Sequence, residues 1–293
     1  MTTQKKIGIT AATSHYGSAT IRHLLNEGVR PDQIVALGRN RDKLDELAAH
    51  NQGIQTRTLD YAADTDTIAQ ALAGIDRLLF VPTAETSGRV EENERVIRAA
   101  EKAQVQDLLY VSFIGATEFP NDPLTPDHAA TEALLDTSPL NTLSARSGFY
   151  SDNTLRSAHD FATGGVFPST AQDGKISAVS REDLAEAAAK VLASDTIPTG
   201  VQTWAGPALT KREMAAALSD AHATTITYLE LDPEAYTQGM VDSGMPLPVA
   251  EMFTQVDIAT RDGALYSEDT SLEQILGRKP TSFAEAARAN AQQ

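Results

Sequence analysis

The chain has 293 residues, a formal net charge of −16 and no cysteine. The missing cysteine excludes disulfides, thiolate metal sites and a cysteine nucleophile, and the acidity argues against nucleic acid or an anionic membrane as a partner. No apolar stretch reaches membrane-spanning length, and Met1 to Lys6 is polar with no signal-peptide core after it, so a soluble, cytoplasmic protein without membrane insertion is expected.

The apolar run Ile7-Gly8-Ile9 reads as a buried strand. Thr10 to Gly17 is a small-residue turn, and Ser18 to Glu27 follows as a helix with Ile21, Leu24 and Leu25 on one face and Gly28 as its stop. Strand, tight turn and helix start are the parts of a dinucleotide phosphate cradle, because the free N–H groups and the dipole of a helix start attract pyrophosphate. Ala11, Ser14 and Gly17 stand at the spacing of a G-x-x-G-x-x-G loop, of which only the third glycine remains. Ala11 fits if its φ is negative. Ser14 either crowds the phosphate with its Cβ or donates to it through its hydroxyl. An ordinary strand-to-helix turn without ligand is the alternative.

A second strand, Ile34 to Leu37, ends in Gly38-Arg39-Asn40-Arg41, with Leu44 and Leu47 inward on the next helix. An Asp or Glu at this point would hold the ribose 2′-OH of NAD, whereas an Arg meets the 2′-phosphate of NADP. Arg39, Arg41 and Lys43 oppose the dipole of the helix start, and an anionic ligand would relieve that. The third strand, Gln55 to Leu59, delivers Asp60, either as an acceptor for the adenine amino group or as a plain helix-leading acid. A helix with Ile68, Ala71 and Leu72 inward stops at Gly74. Arg77 to Pro82 reads as a fourth strand, Arg89 to Ala103 as a helix and Asp107 to Ser112 as a fifth strand. Short apolar strands alternating with helices predict a parallel, doubly wound sheet.

Many reductases on such a sheet use a Tyr-x-x-x-Lys pair, in which the Lys lowers the pKa of the proton-donating Tyr. Here His128 stands at the Tyr position and Glu132 at the Lys position, with His128, Thr131 and Leu135 on one helical face. The relay is absent. His128 serves either as a proton donor near neutral pH or only in packing, and a carboxylate at Glu132 is expected to raise its pKa and hold it charged.

Thr10 to Gly17, Gly38-Arg39-Asn40, Glu92 to Ile97, His128 to Glu132 and Arg146 to Asn153 fall in the order and spacing of one family, and Gly174 to Asp183 and Leu272 to Ala287 match too. The chain resembles the NmrA-like, atypical short-chain dehydrogenase/reductases, within them the NAD(P)H:quinone oxidoreductase type 2 and triphenylmethane reductase group. It departs where the family has Gly-Ala-Thr-Gly-x-x-Gly, here Ala11-Ala12-Thr13-Ser14-His15-Tyr16-Gly17, and where Asn follows the Arg of the later motif, here Ser147.

The resemblance implies an α/β, Rossmann-like doubly wound parallel sheet with a smaller C-terminal α/β substrate-side lobe. Residues 1–150 would form the NADP-binding domain, completed by elements within 176–205, and 151–293 mainly the substrate side. It implies NADP(H) in preference to NAD(H), no metal, and a quinone or similar flat apolar acceptor taking hydride directly, because reduced quinone oxygens are stabilised by the ring and protonated from water. The cofactor would lie along Thr10, Ala11, Thr13, Ser14, His15, Tyr16 and Gly17, then Arg39, Asn40, Lys43 and Asp60, then Val81, Pro82, Thr83 and Ser112. His128, Ser147, Phe149 and Tyr150 would stand around the nicotinamide and acceptor. A homodimer is compatible with this reading. The family also includes NADP-binding redox sensors without turnover, which is the alternative.

Further on, Ser180-Arg181-Glu182-Asp183 starts an Ala-rich helix through Leu192, and Thr210-Lys211-Arg212-Glu213 is a capping box. Thr225 to Leu231 alternates like a strand, and Asp232-Pro233 opens a helix. Met240, Met245, Met252 and Phe253 suit an adaptable apolar pocket, but an ordinary core is the better expectation for them.

Overall fold

The computed structural model describes residues 5–83, 87–119 and 125–292; Met1–Gln4 of the polar N-terminal stretch lie outside the described residues. The first half alternates strictly: β1 (Ile7–Ile9), α1 (His15–Asn26), β2 (Ile34–Gly38), α2 (Arg41–His50), β3 (Gln55–Thr58), α3 (Thr65–Leu72), β4 (Arg77–Phe80), α4 (Arg89–Lys102), β5 (Asp107–Phe113), α5 (Pro126–Asp136) and β6 (Asn141–Ser147). There follow β7 (Phe149–Tyr150), α6 (Ser151–Leu155), α7 (Ala158–Gly164), β8 (Val166–Ser169), β9 (Lys175–Val179), α8 (Arg181–Ala193) and β10 (Gly200–Trp204). The chain ends with β11 (Ala208–Thr210), α9 (Lys211–His222), β12 (Thr227–Glu230), α10 (Pro233–Asp242), α11 (Leu247–Arg261), α12 (Ser271–Leu276) and α13 (Phe283–Asn290).

The main sheet has seven strands, all parallel, in the order β10-β6-β5-β4-β1-β2-β3. Parallel strands need crossovers that cover both faces, so β2 and β4 are buried at every residue. One apolar core lies on the α1, α8 and α12 side and a second on the α3 and α4 side. Strand order reverses between β1 and β4, and the carboxyl ends of two strands that diverge in this way frame a ligand crevice. β10 comes from beyond residue 150 and joins the edge beside β6.

Helix starts follow local chemistry. Ser14, Asn40, Asp64, Ser180, Thr210, Asp232 and Ser282 each accept from the backbone N–H three residues on, satisfying a donor that no helix can satisfy internally. α1 begins at His15, three residues earlier than its apolar periodicity indicates, because Ser14 is the cap. Gly28, at φ 83°, ends it. α8 packs along α1. At its far end the buried Arg77 pairs with Asp107 at 3.0 Å and donates to the Leu192 carbonyl at 2.6 Å, a cation on the carbonyl end of a helix. α8 is thereby pinned with its first residue, Arg181, at the crevice.

The smaller lobe combines the sheet β11-β9-β7, the pair β12-β8 and surrounding helices, around a core containing Phe149, Phe167, Ile176, Met214 and Phe283. The methionine cluster is not part of it, contrary to expectation. Met252 is exposed, and Met240, Met245 and Phe253 are half-buried. They lie on α10 (Met240), on α11 (Met252 and Phe253) and in the turn between (Met245); the two helices pack on each other, and α10 buries no residue fully.

Candidate active site

A cleft of about 750 Å³ opens along the ends of β1, β2, β4 and β5 and reaches α5, β7, α6 and α8. Of the residues expected from sequence, Ala11, Thr13, Ser14, His15, Tyr16, Arg39, Asn40, Lys43, Asp60, Val81, Pro82, Thr83, Ser112, His128, Ser147 and Tyr150 line it. Thr10, Gly17 and Phe149 do not. Thr10 is fully buried and its Oγ1 accepts from the Val81 N–H at 2.9 Å, tying the ends of β1 and β4 together. A Cβ on Gly17 would collide with the Ala11 carbonyl oxygen and Cα of Ala12, so this glycine is needed for close packing of helix on loop rather than for ligand contact. Phe149 belongs to the core of the smaller lobe, with the Lys211 ammonium 5.8 Å from its ring centre.

The loop differs from expectation at Ala11, whose φ is +47°. A left-handed alanine is unusual, and it is held by a turn in which the Ala11 carbonyl accepts from the Ser14 N–H at 2.9 Å. The Ser14 Oγ accepts from the Gly17 N–H at 3.1 Å, which leaves its hydroxyl hydrogen available to a ligand. His15 and Tyr16, the first residues of α1, line the cleft, and first-turn N–H groups have no partner inside a helix. The Tyr16 hydroxyl donates to the Leu184 carbonyl at 3.3 Å.

At the end of β2, Arg39 and Lys43 are exposed, line the cleft and have no side-chain partner among the described residues. Arg41, expected to assist them, pairs instead with Asp45 at 2.9 Å, one helical turn on. Asp60 accepts from the Ala62 N–H at 3.1 Å. Beside it, the Tyr61 hydroxyl donates to the Val81 carbonyl at 2.7 Å, and the Tyr61 ring packs edge-on against Phe80.

The other end is built by α5 against β5 and β6. Glu132 does not face His128. Its carboxylate accepts from the Ser112 hydroxyl at 2.5 Å and from Arg146 at 2.6 Å. Arg146 also reaches Glu118 at 2.7 Å, and these carboxylates raise its pKa. The Ser112 hydrogen is committed to Glu132, so towards the cleft Ser112 offers only acceptor lone pairs. The Ser147 hydroxyl donates to the Ser112 carbonyl at 2.9 Å.

His128 is half-buried, stacked beside Phe113 with ring centres 6.1 Å apart, and its Nδ1 lies 2.9 Å from the Tyr110 hydroxyl. Burial first, and the Arg89 guanidinium second, push its pKa down to about 3. The expectation of a charged imidazole therefore fails: the charge that acts on it is a cation. Tyr150 has its pKa raised by burial and carries the Arg181 guanidinium 4.2 Å above its ring centre.

Residues that the sequence did not name as part of the site also line the cleft, among them Gly38, Tyr61, Arg89, Phe113, Arg156 and Arg181. Tyr61 directly follows Asp60 at a strand end and was within reach of the same rule. Arg156 and Arg181 come from the later half, where no spacing rule connects them to the loop.

A reversing parallel sheet with a cradle at the start of α1 and unpaired cations after β2 defines a dinucleotide-binding α/β protein. The chain belongs to the NAD(P)H-binding family, which it matches over residues 11–195. It is 34% identical to quinone oxidoreductase 2 of Escherichia coli (strain K12) over 96% of each chain. The crystal structure of that NADPH-dependent quinone oxidoreductase complexed with NADPH superposes with a TM-score of 0.90, at 33% identity, covering 97% of this chain and 99% of the other. The triphenylmethane reductase of Citrobacter sp. complexed with NADP(H) gives a TM-score of 0.89 at 27% identity, covering 98% and 100%. These are relatives of the group that the motifs resemble. Among the described residues no helix is long and apolar enough to cross a membrane.

Proposed function

We propose that this protein is an NADPH-dependent oxidoreductase that passes hydride to a quinone or a similarly flat, apolar acceptor. The observation that carries the reading is one continuous cleft with two cations, Arg39 and Lys43, unpaired among the described residues at one end, and neutral side chains, His128, Phe113, Tyr150 and Ser147, with the Arg181 guanidinium over Tyr150, at the other. A dinucleotide fits the residues present. Arg39 and Lys43 would take the 2′-phosphate, Asp60 and Tyr61 would border the adenine, and the start of α1 with Ser14 would take the pyrophosphate. Val81, Pro82, Thr83 and Ser112 would border the nicotinamide, with the Ser112 oxygen accepting from an amide N–H. Residues 1–150 with the elements up to 205 would serve the cofactor, and the smaller lobe the acceptor.

Bound reduced nicotinamide supplies a hydride; with one proton from water this converts a quinone to its hydroquinone. The chain's own part is positioning and exclusion of water. No Tyr–Lys relay is needed for such an acceptor. With the Tyr110 hydroxyl as donor to Nδ1, the Nε2–H of His128 donates to an acceptor oxygen without giving the proton up. The similarity to an NADPH-dependent quinone oxidoreductase supports the choice of NADPH and of a quinone. A cytoplasmic location, where reduced nicotinamide is maintained, belongs to this reading; with a net charge of −16 a nucleic-acid partner does not. A homodimer is compatible with this reading, and light scattering measures the assembly.

Steady-state NADPH oxidation with a panel of quinones tests the activity. Turnover with several quinones is expected. NADPH bound in a titration but never oxidised would instead make the chain a cofactor-responsive sensor.

A further inference from the structure

Two arginines line the cleft without a task in hydride transfer or cofactor binding. Arg156 follows α6, is exposed, and has no side-chain partner among the described residues. In a chain with 40 acidic and 24 basic residues, an arginine left unpaired in a cleft is an unfilled position. Arg181, the first residue of α8, is held from three directions. Its guanidinium lies 4.2 Å from the Tyr150 ring centre, its Nη2 donates to Asn153 Oδ1 at 3.0 Å, and its backbone N–H donates to Asp152 Oδ2 at 3.1 Å. Its Nη1 forms an ion pair with Asp152 Oδ1 at 3.6 Å, yet at that distance it is buried with no hydrogen-bond acceptor among the described residues. A buried donor on a charged group is costly to leave unmade. A fixed guanidinium with a free N–H suits one kind of partner, an oxyanion with two or more acceptor oxygens.

We propose that Arg156 and Arg181 form an anion-binding subsite in the acceptor half of the cleft, so that the acceptor is a flat aromatic bearing a carboxylate, sulfonate or phosphate group. This deepens the oxidoreductase reading and rests on it. The cofactor's own pyrophosphate is the competing anion, and Asp152 argues against it. Its Oδ1 lies 3.7 Å from Nδ1 of His15 and 3.6 Å from Nη1 of Arg181, so a carboxylate stands between the phosphate-binding helix start and this arginine. Pyrophosphate reaching across would meet that like charge.

The test compares 1,4-naphthoquinone-2-sulfonate with uncharged 2-methyl-1,4-naphthoquinone as acceptors for the full-length protein with saturating NADPH. A charge-assisted contact contributes about 1.5–3 kcal/mol, so Arg156→Gln should raise the KM ratio, sulfonated over uncharged, by about tenfold or more, and Arg156→Lys should restore part of it. NADPH affinity by titration should stay within about twofold of the wild type. An unchanged KM ratio, or weakened NADPH binding with that ratio unchanged, overturns the subsite. If neither quinone is reduced, the oxidoreductase reading fails separately. The subsite is then judged by calorimetric binding of the two quinones to protein saturated with NADP+. A preference for the sulfonated ligand that Arg156→Gln abolishes supports it, and equal binding overturns it.

Discussion

The Tyr110 hydroxyl and the Nδ1 of His128 lie 2.9 Å apart, and that contact decides what kind of group the histidine is. Burial raises the pKa of Tyr110, so it keeps its proton, while burial and Arg89 push His128 down to about 3. Both are neutral at pH 7. With Tyr110 as donor, the ring proton resides on Nε2. Such an imidazole donates a hydrogen bond without cycling as an acid. A neutral hydrogen bond contributes about 0.5–1.5 kcal/mol net, so His128→Ala should lower kcat/KM for a good quinone by about tenfold at most, with no step removed between pH 5 and 8. General acid catalysis contributes about 10²–10⁴-fold. A loss of a hundredfold or more, with NADPH affinity and folding intact, would show that His128 transfers the proton after all.

The same histidine makes the fold acid-labile in a defined window. Its folded pKa lies below the unfolded value of about 6.5, so as pH falls through that range the unfolded chain takes up a proton that the native chain refuses. The stability tied to neutral His128 is complete above about pH 6.5 and is lost towards pH 3. Urea midpoints at pH 7.0 and 4.5 should therefore differ less in His128→Gln than in the wild type. Equal differences would contradict the low pKa.

Arg39 and Lys43 have no acidic partner among the described residues, whereas Arg41 is taken by Asp45. Arg39→Ala should weaken NADPH about tenfold or more, the equivalent of one charge-assisted contact, and leave NADH nearly unchanged. Arg41→Ala should do neither. Isothermal titration with both cofactors reads this, and equal losses for NADPH and NADH would remove the 2′-phosphate assignment.

Most of the frame was legible because it is local. The alternation of β1 to β5 with helices, the caps at Ser180 and Thr210 and the stop at Gly28 depend on residues adjacent in sequence. Arg39 and Asp60 were legible because strand ends in such sheets carry position-dependent tasks. The pairing of Glu132 with Arg146, 14 residues away, was not. Spacing on α5 placed His128 and Glu132 in adjacent turns, but β6 supplies the cation that claims the carboxylate. The direction of the His128 shift was illegible for the same reason, since its main cause is burial under neighbouring elements and its second, Arg89, comes from α4. Phe149 was misplaced in a similar way: β7 is two residues long, and alternate side chains point to opposite faces, so Tyr150 faces the cleft and Phe149 the core.

At the loop, the Ser14 Oγ accepts from Gly17 and retains its own hydrogen. Ser14→Gly removes that donor at a helix-cap cost of only about a few tenths of a kcal/mol. It should therefore weaken NADPH and NADH alike, by about tenfold or more for a hydrogen bond to a charged group. Tighter binding of both would mean that the Ser14 Cβ crowds the phosphate, and no change would mean that the phosphate sits elsewhere.

Ala11 turns an ordinary rule around. Replacing alanine by glycine usually destabilises, because glycine loses more conformational freedom on folding, at about 0.4–1 kcal/mol. Ala11, however, is held at φ +47° by the turn to Ser14, and the left-handed region costs an L-residue with a Cβ about 1–2 kcal/mol. Glycine is free of that cost. Relief of the left-handed strain outweighs the lost chain entropy, so Ala11→Gly should stabilise the protein by about 0.5–1 kcal/mol. The measurement is urea unfolding without cofactor, where ligand binding cannot add to the apparent stability, and the midpoint should rise at constant m value. A fall of about 1 kcal/mol or more, the full entropic cost, would mean that Ala11 does not adopt this conformation in solution, and the loop before α1 would then have to carry a different set of N–H groups to the phosphate.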